Sequence, residues 1–174
     1  SSSGREDIDV RMLGEGRPFL MELHNAKNPF TTNDQLGEIE KQVNASTKLI
    51  QIRDLQRIKK KDCAKLKEGE EHKKKTYRCI VNISEELNEE KIKILDGLTK
   101  REFDLQQETP IRVLHRRTLS TREKRIHKFS YEIINSHFMI VDLETQAGTY
   151  IKEFIHGDLG RTNPNLGSFL GCEA

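Results

Sequence analysis

The segment from Gly148 to Gly160, GTYIKEFIHGDLG, has the composition of a turn followed by a short helix. Gly148 interrupts a β-type run over residues 138–145, and the hydroxyl group of Thr149 is suited to cap a helix. Helical spacing relates the apolar residues that follow, Ile151, Phe154, Ile155 and Leu159. These patterns predict a helix over residues 149–159 that ends at Gly160.

Lys152 falls in the first turn of this predicted helix. The first turn of a helix leaves backbone N–H groups without helical partners and carries the positive end of the dipole. A lysine there adds a full positive charge. The position therefore suits a bound anion or a catalytic carboxylate, although a lysine near a helix start is more often simply solvated.

Two further segments carry residues that fit the same chemistry. Residues 3–7 read SGRED, a glycine-containing loop with an aspartate, and residues 75–78 read KTYR at the start of an alternating run. In order along the chain, the three segments resemble three motifs of pseudouridine synthases. These motifs are the G-R-x-D loop that carries the catalytic aspartate of the TruA-type enzymes, the K-x-Y motif of their active-site tyrosine, and the GTYIR…DLG motif of the TruB-type enzymes.

The resemblance extends from Ser2 to about Gly167 and is greatest to the archaeal and eukaryotic Pus-ten-type tRNA pseudouridine synthases. It rests on the runs GREDIDVRMLGEGRPF and TQAGTYIKEFIHGDLGRTNPN. It implies that residues 1–174 are the catalytic domain of a longer protein whose N-terminal half, with a THUMP domain, is absent here. It also implies an isomerase that converts a uridine of tRNA, in the T-arm, to pseudouridine.

The resemblance assigns roles to individual residues. Asp7 is the expected catalytic carboxylate, Lys152 its basic partner, and Tyr77 the residue that stacks on uracil and helps to remove the C5 proton. Lys152 stands where most bacterial enzymes carry arginine, and lysine lacks the bidentate fork of arginine. Ile151 is expected to pack beneath the base. The complete set of expected substrate-binding residues is Arg5, Arg11, Tyr150, Ile151 and Arg161.

Alternatives remain open at several of these positions. Asp9 competes with Asp7 for the carboxylate role, since only motif spacing separates them. Without the motifs, Asp7 would be a turn or cap residue and Tyr77 a core residue of an alternating strand. The three arginines are equally consistent with surface salt bridges. A second phosphate-binding candidate is the cluster His115, Arg116 and Arg117.

The alternative function is a non-catalytic module that binds structured RNA and keeps the synthase fold as a scaffold. The residues Asp7, Tyr77 and Lys152 favour the enzyme over this module. A general charged interaction domain would require all three motif matches to be accidental.

Composition restricts the class of protein less than the motifs do. Charged residues make up 33% and apolar residues 34% of the chain, and the net charge is +2. Positive charge is nevertheless concentrated locally, which is enough to bind phosphate. The basic clusters are Lys59–Lys61, Lys73–Lys75, His115–Arg117 and Arg122–Lys128.

Cysteine spacing and hydropathy indicate where the protein acts. The three cysteines, at 63, 79 and 172, form no metal-ligand pattern and no evident disulfide framework. No apolar run approaches the roughly 20 residues of a membrane helix. We therefore expect an intracellular monomer in the nucleus, cytoplasm or mitochondrion, with tRNA as its partner, no membrane, no metal and no small-molecule cofactor.

The pattern of elements predicts an α+β domain. Strands are predicted at 18–23, 48–58, 77–83, 110–115, 122–134 and 137–145, and helices at 32–44, 86–98 and 149–159, with a loop or frayed helix at 59–75. Strands separated irregularly by helices indicate a mixed, mostly antiparallel sheet flanked by helices. A central RNA-binding cleft follows from the resemblance.

Overall fold

The computed structural model describes Ser2, residues 10–63 and residues 74–174. Arg5, Asp7 and Asp9 lie outside these ranges. The chain separates into two compact units, Ser1–Glu70 and Glu71–Ala174.

Among the described residues of the first unit, the α-helix α1 spans Asn33–Ser46 and confirms the predicted helix. Thr32 caps it: its Oγ1 accepts a hydrogen bond from the Gln35 backbone at 3.3 Å, while the Gln35 side chain accepts from the Thr32 N–H at 2.9 Å. This reciprocal capping box satisfies two N–H groups at the helix start. A 3₁₀ turn follows at Lys60–Asp62.

The two strands predicted in this unit are wrong. Among the described residues, 18–23 carries an isolated bridge from Phe19 to Ser2 in place of a strand, and residues 48–58 form no strand. Leu49 is 92% exposed, so the alternating pattern is not used to cover a core. Instead, the Asn44 side-chain amide binds both the N–H and the C=O of Ile52 at 2.8 Å, which takes these groups away from a strand ladder.

The second unit is built on a five-stranded antiparallel sheet. From one edge to the other its strands are β1 (Lys75–Asn82), β4 (Phe138–Thr145), β3 (Thr121–Ile133), β2 (Phe103–Glu108) and β5 (Thr162–Asn163). Its α+β class agrees with the prediction, and the strands predicted at 77–83, 122–134 and 137–145 and the helix at 86–98 are confirmed. The elements are β1 Lys75–Asn82, α2 Glu89–Thr99, β2 Phe103–Glu108, β3 Thr121–Ile133, β4 Phe138–Thr145, α3 Ile151–His156, β5 Thr162–Asn163 and α4 Leu166–Leu170.

The two faces of this sheet differ, because successive side chains of a strand point to opposite sides. We call the face that packs on the helices the inner face. The buried core there joins sheet residues to helix residues such as Leu95, Phe154 and Leu166. The inner face contributes Val81, Leu105, Ile126, Phe129, Met139, Val141 and Leu143.

The opposite, outer face carries charged side chains that pair across strands. Arg78 donates two hydrogen bonds of 2.7 Å to Asp142, and Arg125 donates two of 2.6 and 2.8 Å to Asp104. These bonds lower the pKa of both aspartates below the usual range. Within the described ranges, no helix is long and apolar enough to span a membrane.

One predicted strand in this unit is wrong, and one observed strand was not predicted. Residues predicted as a strand at 110–115 form a 3₁₀ helix, Ile111–Arg116, in which the Val113 N–H donates to the Pro110 carbonyl at 3.0 Å. The strand next to β3 is instead β2, Phe103–Glu108, whose polar sequence FDLQQE concealed it. Only its inward residues Phe103, Leu105 and Gln107 are shielded, and two of them are apolar.

Candidate active site

One end of the inner face is polar. There β4 and β2 end and β1 and β3 begin, and the strand register places inward-facing polar groups beside one another. Lys75 lies opposite Thr145, and Arg122 lies opposite Gln107. We call this region the polar end, and its sheet residues are Lys75, Tyr77, Gln107, Arg122, Lys124 and Thr145.

A tight turn carries the chain from β4 across the polar end. The Thr149 N–H and its Oγ1 both bond to the Gln146 carbonyl, at 3.3 and 2.7 Å. Gly148 has a φ of 75°, in the region that favours glycine. Lys124 supports the turn from below by donating to the Ala147 carbonyl at 2.8 Å, and a Cβ at Gly148 would lie 3.3 Å from Lys124 Nζ. Gly148 is thus required by both backbone conformation and the close approach of a lysine.

Gln107 holds the next residue, Tyr150, by its backbone. Its amide nitrogen donates to the Tyr150 carbonyl and its amide oxygen accepts from the Tyr150 N–H, both at 2.9 Å. The Gln107 side chain also donates to Thr162 Oγ1 at 3.3 Å, and the residue is 1% exposed. A single buried amide therefore joins β2, β5 and the start of α3.

Helix α3 begins at Ile151, directly after Tyr150, and is shorter than the predicted helix over residues 149–159. Tyr150, not Thr149, occupies the N-cap position, and it makes no side-chain capping bond. Gly157, not Gly160, ends the helix, with a φ of 81°. Lys152 lies in the first turn, as predicted, and is half-buried.

Glu153, beside Lys152, forms an ion pair beneath the helix. It is 1% exposed, and Arg112 donates to its two oxygens at 2.6 and 3.3 Å. The Arg112 guanidinium carbon also lies 5.8 Å from the centre of the Tyr150 ring. The 3₁₀ helix therefore fixes both the direction of α3 and the ring that precedes it.

The segment after α3 is a left-handed turn in which four consecutive residues, Gly157 to Gly160, have positive φ. The Asp158 carboxylate accepts from the Ile111 N–H at 3.0 Å. Arg161 donates to the Thr109 carbonyl at 3.0 and 3.1 Å and pairs with Glu108 at 3.1 Å. Its predicted contact with substrate stays a prediction, and its guanidinium already has protein acceptors.

The polar end brings together several of the predicted site residues. Tyr77 is half-buried on the inner face opposite Leu143, two positions from the end of β4, while its neighbour Arg78 is on the outer face. Tyr150 and Lys152 follow the same strand end. Ile151 packs against the core, and its place beneath the base stays a prediction.

Other predicted residues belong to the first unit or lie outside the described ranges. Arg11 is exposed in the first unit, while Arg5, Asp7 and Asp9 fall outside the described ranges. The catalytic carboxylate therefore stays a prediction. In the ranges that the structure describes, no group of three or more His, Cys, Asp or Glu side chains is placed to hold a metal ion.

The site also contains residues that sequence reasoning missed, notably Gln107, Arg122 and Lys124. Burial and the neighbouring charge of Arg122 together lower the pKa of Lys124, with burial the larger cause. The sequence offered only a weak signal for these two cations, because Arg122 and Lys124 belong to a basic run. The residues of that run that face inward cannot be identified without the register of β3, which contains a bulge.

Comparison with known proteins places this arrangement in a family. The whole chain, residues 1–174, matches the family described as "Pus10, C-terminal". The chain is 45% identical over 174 residues to the protein named tRNA pseudouridine synthase Pus10 of Mus musculus. The aligned region covers 100% of this chain and 33% of the mouse protein. The protein of that name from Xenopus laevis is 47% identical, with the same coverage of each chain.

The similarity extends to archaea. The protein named tRNA pseudouridine synthase Pus10 of Thermofilum pendens is 39% identical over 171 residues, which are 98% of this chain and 38% of the archaeal protein. The chain thus spans about one third of the length of these relatives. The motifs at both ends of the chain and the whole-length match agree, and the chain belongs to the Pus10 C-terminal family.

Proposed function

We propose that this chain is the catalytic part of a tRNA pseudouridine synthase that modifies a uridine of the T-arm. The observation that carries the proposal is the whole-length match to relatives named tRNA pseudouridine synthase. The polar end supports it, because Tyr77 and Lys152, two of the three proposed catalytic residues, lie where β1 begins and just after β4 ends.

The reaction requires no atom to be added. The bond between N1 and C1′ breaks, the uracil rotates, a bond forms between C5 and C1′, C5 loses a proton and N1 gains one. In the proposed site the Asp7 carboxylate attacks the nucleotide or supports the glycosyl intermediate. Lys152 keeps that carboxylate ionised by its positive charge.

Tyr77 has two proposed tasks. Its ring stacks on the uracil, and its hydroxyl group takes part in removal of the C5 proton. Flipping a uridine out of a stacked arm costs a few kcal/mol. Stacking on an aromatic side chain is worth about 1–3 kcal/mol per base, so the ring offsets a large part of this cost. Phosphate contacts supply the remainder.

Monomeric action inside the cell, in the nucleus, cytoplasm or mitochondrion, is also part of the proposal. The residues that form the polar end suit RNA in another way as well, because Arg122 and Lys124 give it positive charge. A non-catalytic RNA-binding module would use the same charge without the chemistry.

The proposal is tested by incubating the chain with an unmodified tRNA transcript and mapping pseudouridine along it. Any longer natural polypeptide that contains the chain is assayed in parallel, since the relatives are about three times as long. We expect conversion at a single T-arm uridine. Tight binding without any conversion, by either protein, would assign the chain to the RNA-binding module instead.

A further inference from the structure

Two cations of β3 point toward the polar end and lack the partners that the outer face provides. Arg122 lies opposite Gln107, and Lys124 lies opposite Leu105, both on the inner face. Arg125, on the outer face of the same strand, is held by two hydrogen bonds to Asp104. Arg125 is thus neutralised by a carboxylate, whereas Arg122 and Lys124 of the same strand have no such partner among the described residues.

Arg122 shows more clearly than Lys124 that a partner is missing. Its Nη1 atom is shielded from solvent, yet it has no hydrogen-bond partner in the part of the chain that the structure describes. A buried donor without an acceptor is destabilising, and more so when the group is charged. The rest of the residue is only half-buried, so rotation about its side-chain bonds can bring the guanidinium to an external acceptor.

Lys124 adds a second positive charge next to it. Its Nζ donates to the Ala147 carbonyl at 2.8 Å, a neutral acceptor that leaves the lysine charge uncompensated. Among the described residues, no carboxylate forms an ion pair with Arg122 or Lys124. Each charge lowers the stability of the other, so an anion that approaches both gains from relieving that repulsion.

We propose that Arg122 and Lys124 bind one phosphodiester group of the RNA substrate beside the turn at Gly148. A phosphate oxygen pair matches the planar fork of arginine, and lysine completes the site as a point charge. Because Lys124 touches the turn that leads to Tyr150, the bound phosphate lies close to the nucleotide that enters the site. The inference rests on the proposed function for the identity of the ligand.

The test measures binding of an unmodified tRNA transcript by fluorescence anisotropy between about 50 and 200 mM salt, a range over which phosphate contacts change affinity strongly. We expect Arg122→Ala to weaken binding and to reduce the slope of log affinity against log salt by about 0.7–0.9, the value for one phosphate contact. Arg125→Ala is the matched control, since it removes the same charge from the outer face. Its slope should equal that of the wild type.

Arg122→Gln provides a second variant that keeps most of the side-chain volume, and thermal unfolding is recorded for every variant. We expect both Arg122 variants to unfold near the wild-type temperature, because Nη1 has no protein acceptor to lose. Equal slopes for the Arg122 and Arg125 variants would overturn the proposal. So would an unchanged slope with a lowered unfolding temperature, which would make Arg122 a purely structural residue.

This measurement is independent of turnover. A wild type that binds the transcript but forms no pseudouridine would refute the proposed catalysis and leave the phosphate site standing. Conversely, an active wild type whose Arg122→Ala variant binds RNA with the wild-type salt slope would refute the phosphate site alone.

Discussion

At the scale of single residues, the arrangement around Tyr150 depends on one buried amide. Gln107 satisfies both backbone groups of Tyr150 and contacts Thr162 at the same time. An aliphatic residue of similar size would fill the same space but leave the Tyr150 N–H and C=O without partners. Gln107 therefore acts on the site through the backbone of another residue.

We predict that Gln107→Leu destabilises the protein by about 1–3 kcal/mol, the usual cost of leaving a buried backbone group unpaired. Gln107→Met, which is also unbranched and of similar volume, likewise removes both bonds to Tyr150 and should destabilise the protein to a similar extent. Chemical denaturation measures the free energy of unfolding.

A positioning role requires more than lost stability. For folded Gln107→Leu, conversion of the transcript should slow more strongly than RNA affinity falls, because the residue acts through the backbone of Tyr150 and the substitution changes no charge beside Arg122. Equal losses in rate and affinity, or full activity, would contradict this role.

At the scale of elements, α3 is set by its two ends rather than by its own apolar pattern. Sequence periodicity carried the predicted helix to Leu159, but the backbone turns left-handed at Gly157. Gly157 packs closely on the side chain of Asn165, whose amide donates to the Thr162 carbonyl and whose oxygen caps α4. The C-terminal end of α3 is therefore determined by a tertiary contact, which the periodicity of the sequence cannot reveal.

Gly157→Ala should consequently be destabilising. A left-handed backbone costs a residue with a Cβ about 1–2 kcal/mol, and a Cβ here would lie 2.7 Å from the Asn165 amide nitrogen. We expect the melting temperature to fall by at least several degrees, since 1 kcal/mol corresponds to about 4–8 °C for a domain of this size.

Gly97→Ala is the control for this change. Gly97 lies within α2 at a right-handed position, and a Cβ there meets nothing within 4 Å. Alanine should raise stability by about 0.5–1 kcal/mol, because glycine is the poorer residue in a helix interior. A Gly157→Ala variant as stable as wild type, with Gly97→Ala behaving as expected, would show that the left-handed stop is not needed.

The elements that sequence patterns predicted correctly are those with strong local signals. β1, β3, β4 and α2 show clear alternation or helical spacing, and α1 has a capping box. The errors fall where a tertiary partner decides: residues 48–58 alternate but find no neighbouring strand, and Phe103–Glu108 becomes a strand because β3 and β5 pair with it.

At the scale of the whole molecule, the sheet separates two kinds of charge. Outer-face charges neutralise one another in cross-strand pairs such as Arg78–Asp142 and Lys74–Glu144. The inner polar end instead carries Arg122 and Lys124, which form no ion pair with a described carboxylate. The net charge of +2 hides this difference, so the proposed phosphate-binding surface could not be read from composition.

The site could be predicted only in part for a related reason. Motif order singled out Tyr77, Ile151 and Lys152, because each lies next to a recognisable glycine or alternating run, and all three lie near one end of the sheet. Gln107, Arg122 and Lys124 had no such signal, since their importance comes from strand register and from the direction in which each side chain points.

The central claim, that this chain performs aspartate-dependent isomerisation, is tested most directly by pseudouridine formation in Asp7→Ala. RNA affinity depends on many contacts, while the chemistry depends on this carboxylate. Our account predicts that Asp7→Ala forms no pseudouridine and binds the transcript nearly as tightly as the wild type, while Asp9→Ala still converts it. Full activity of Asp7→Ala, with activity lost in Asp9→Ala, would contradict the motif register and move the catalytic role by two residues.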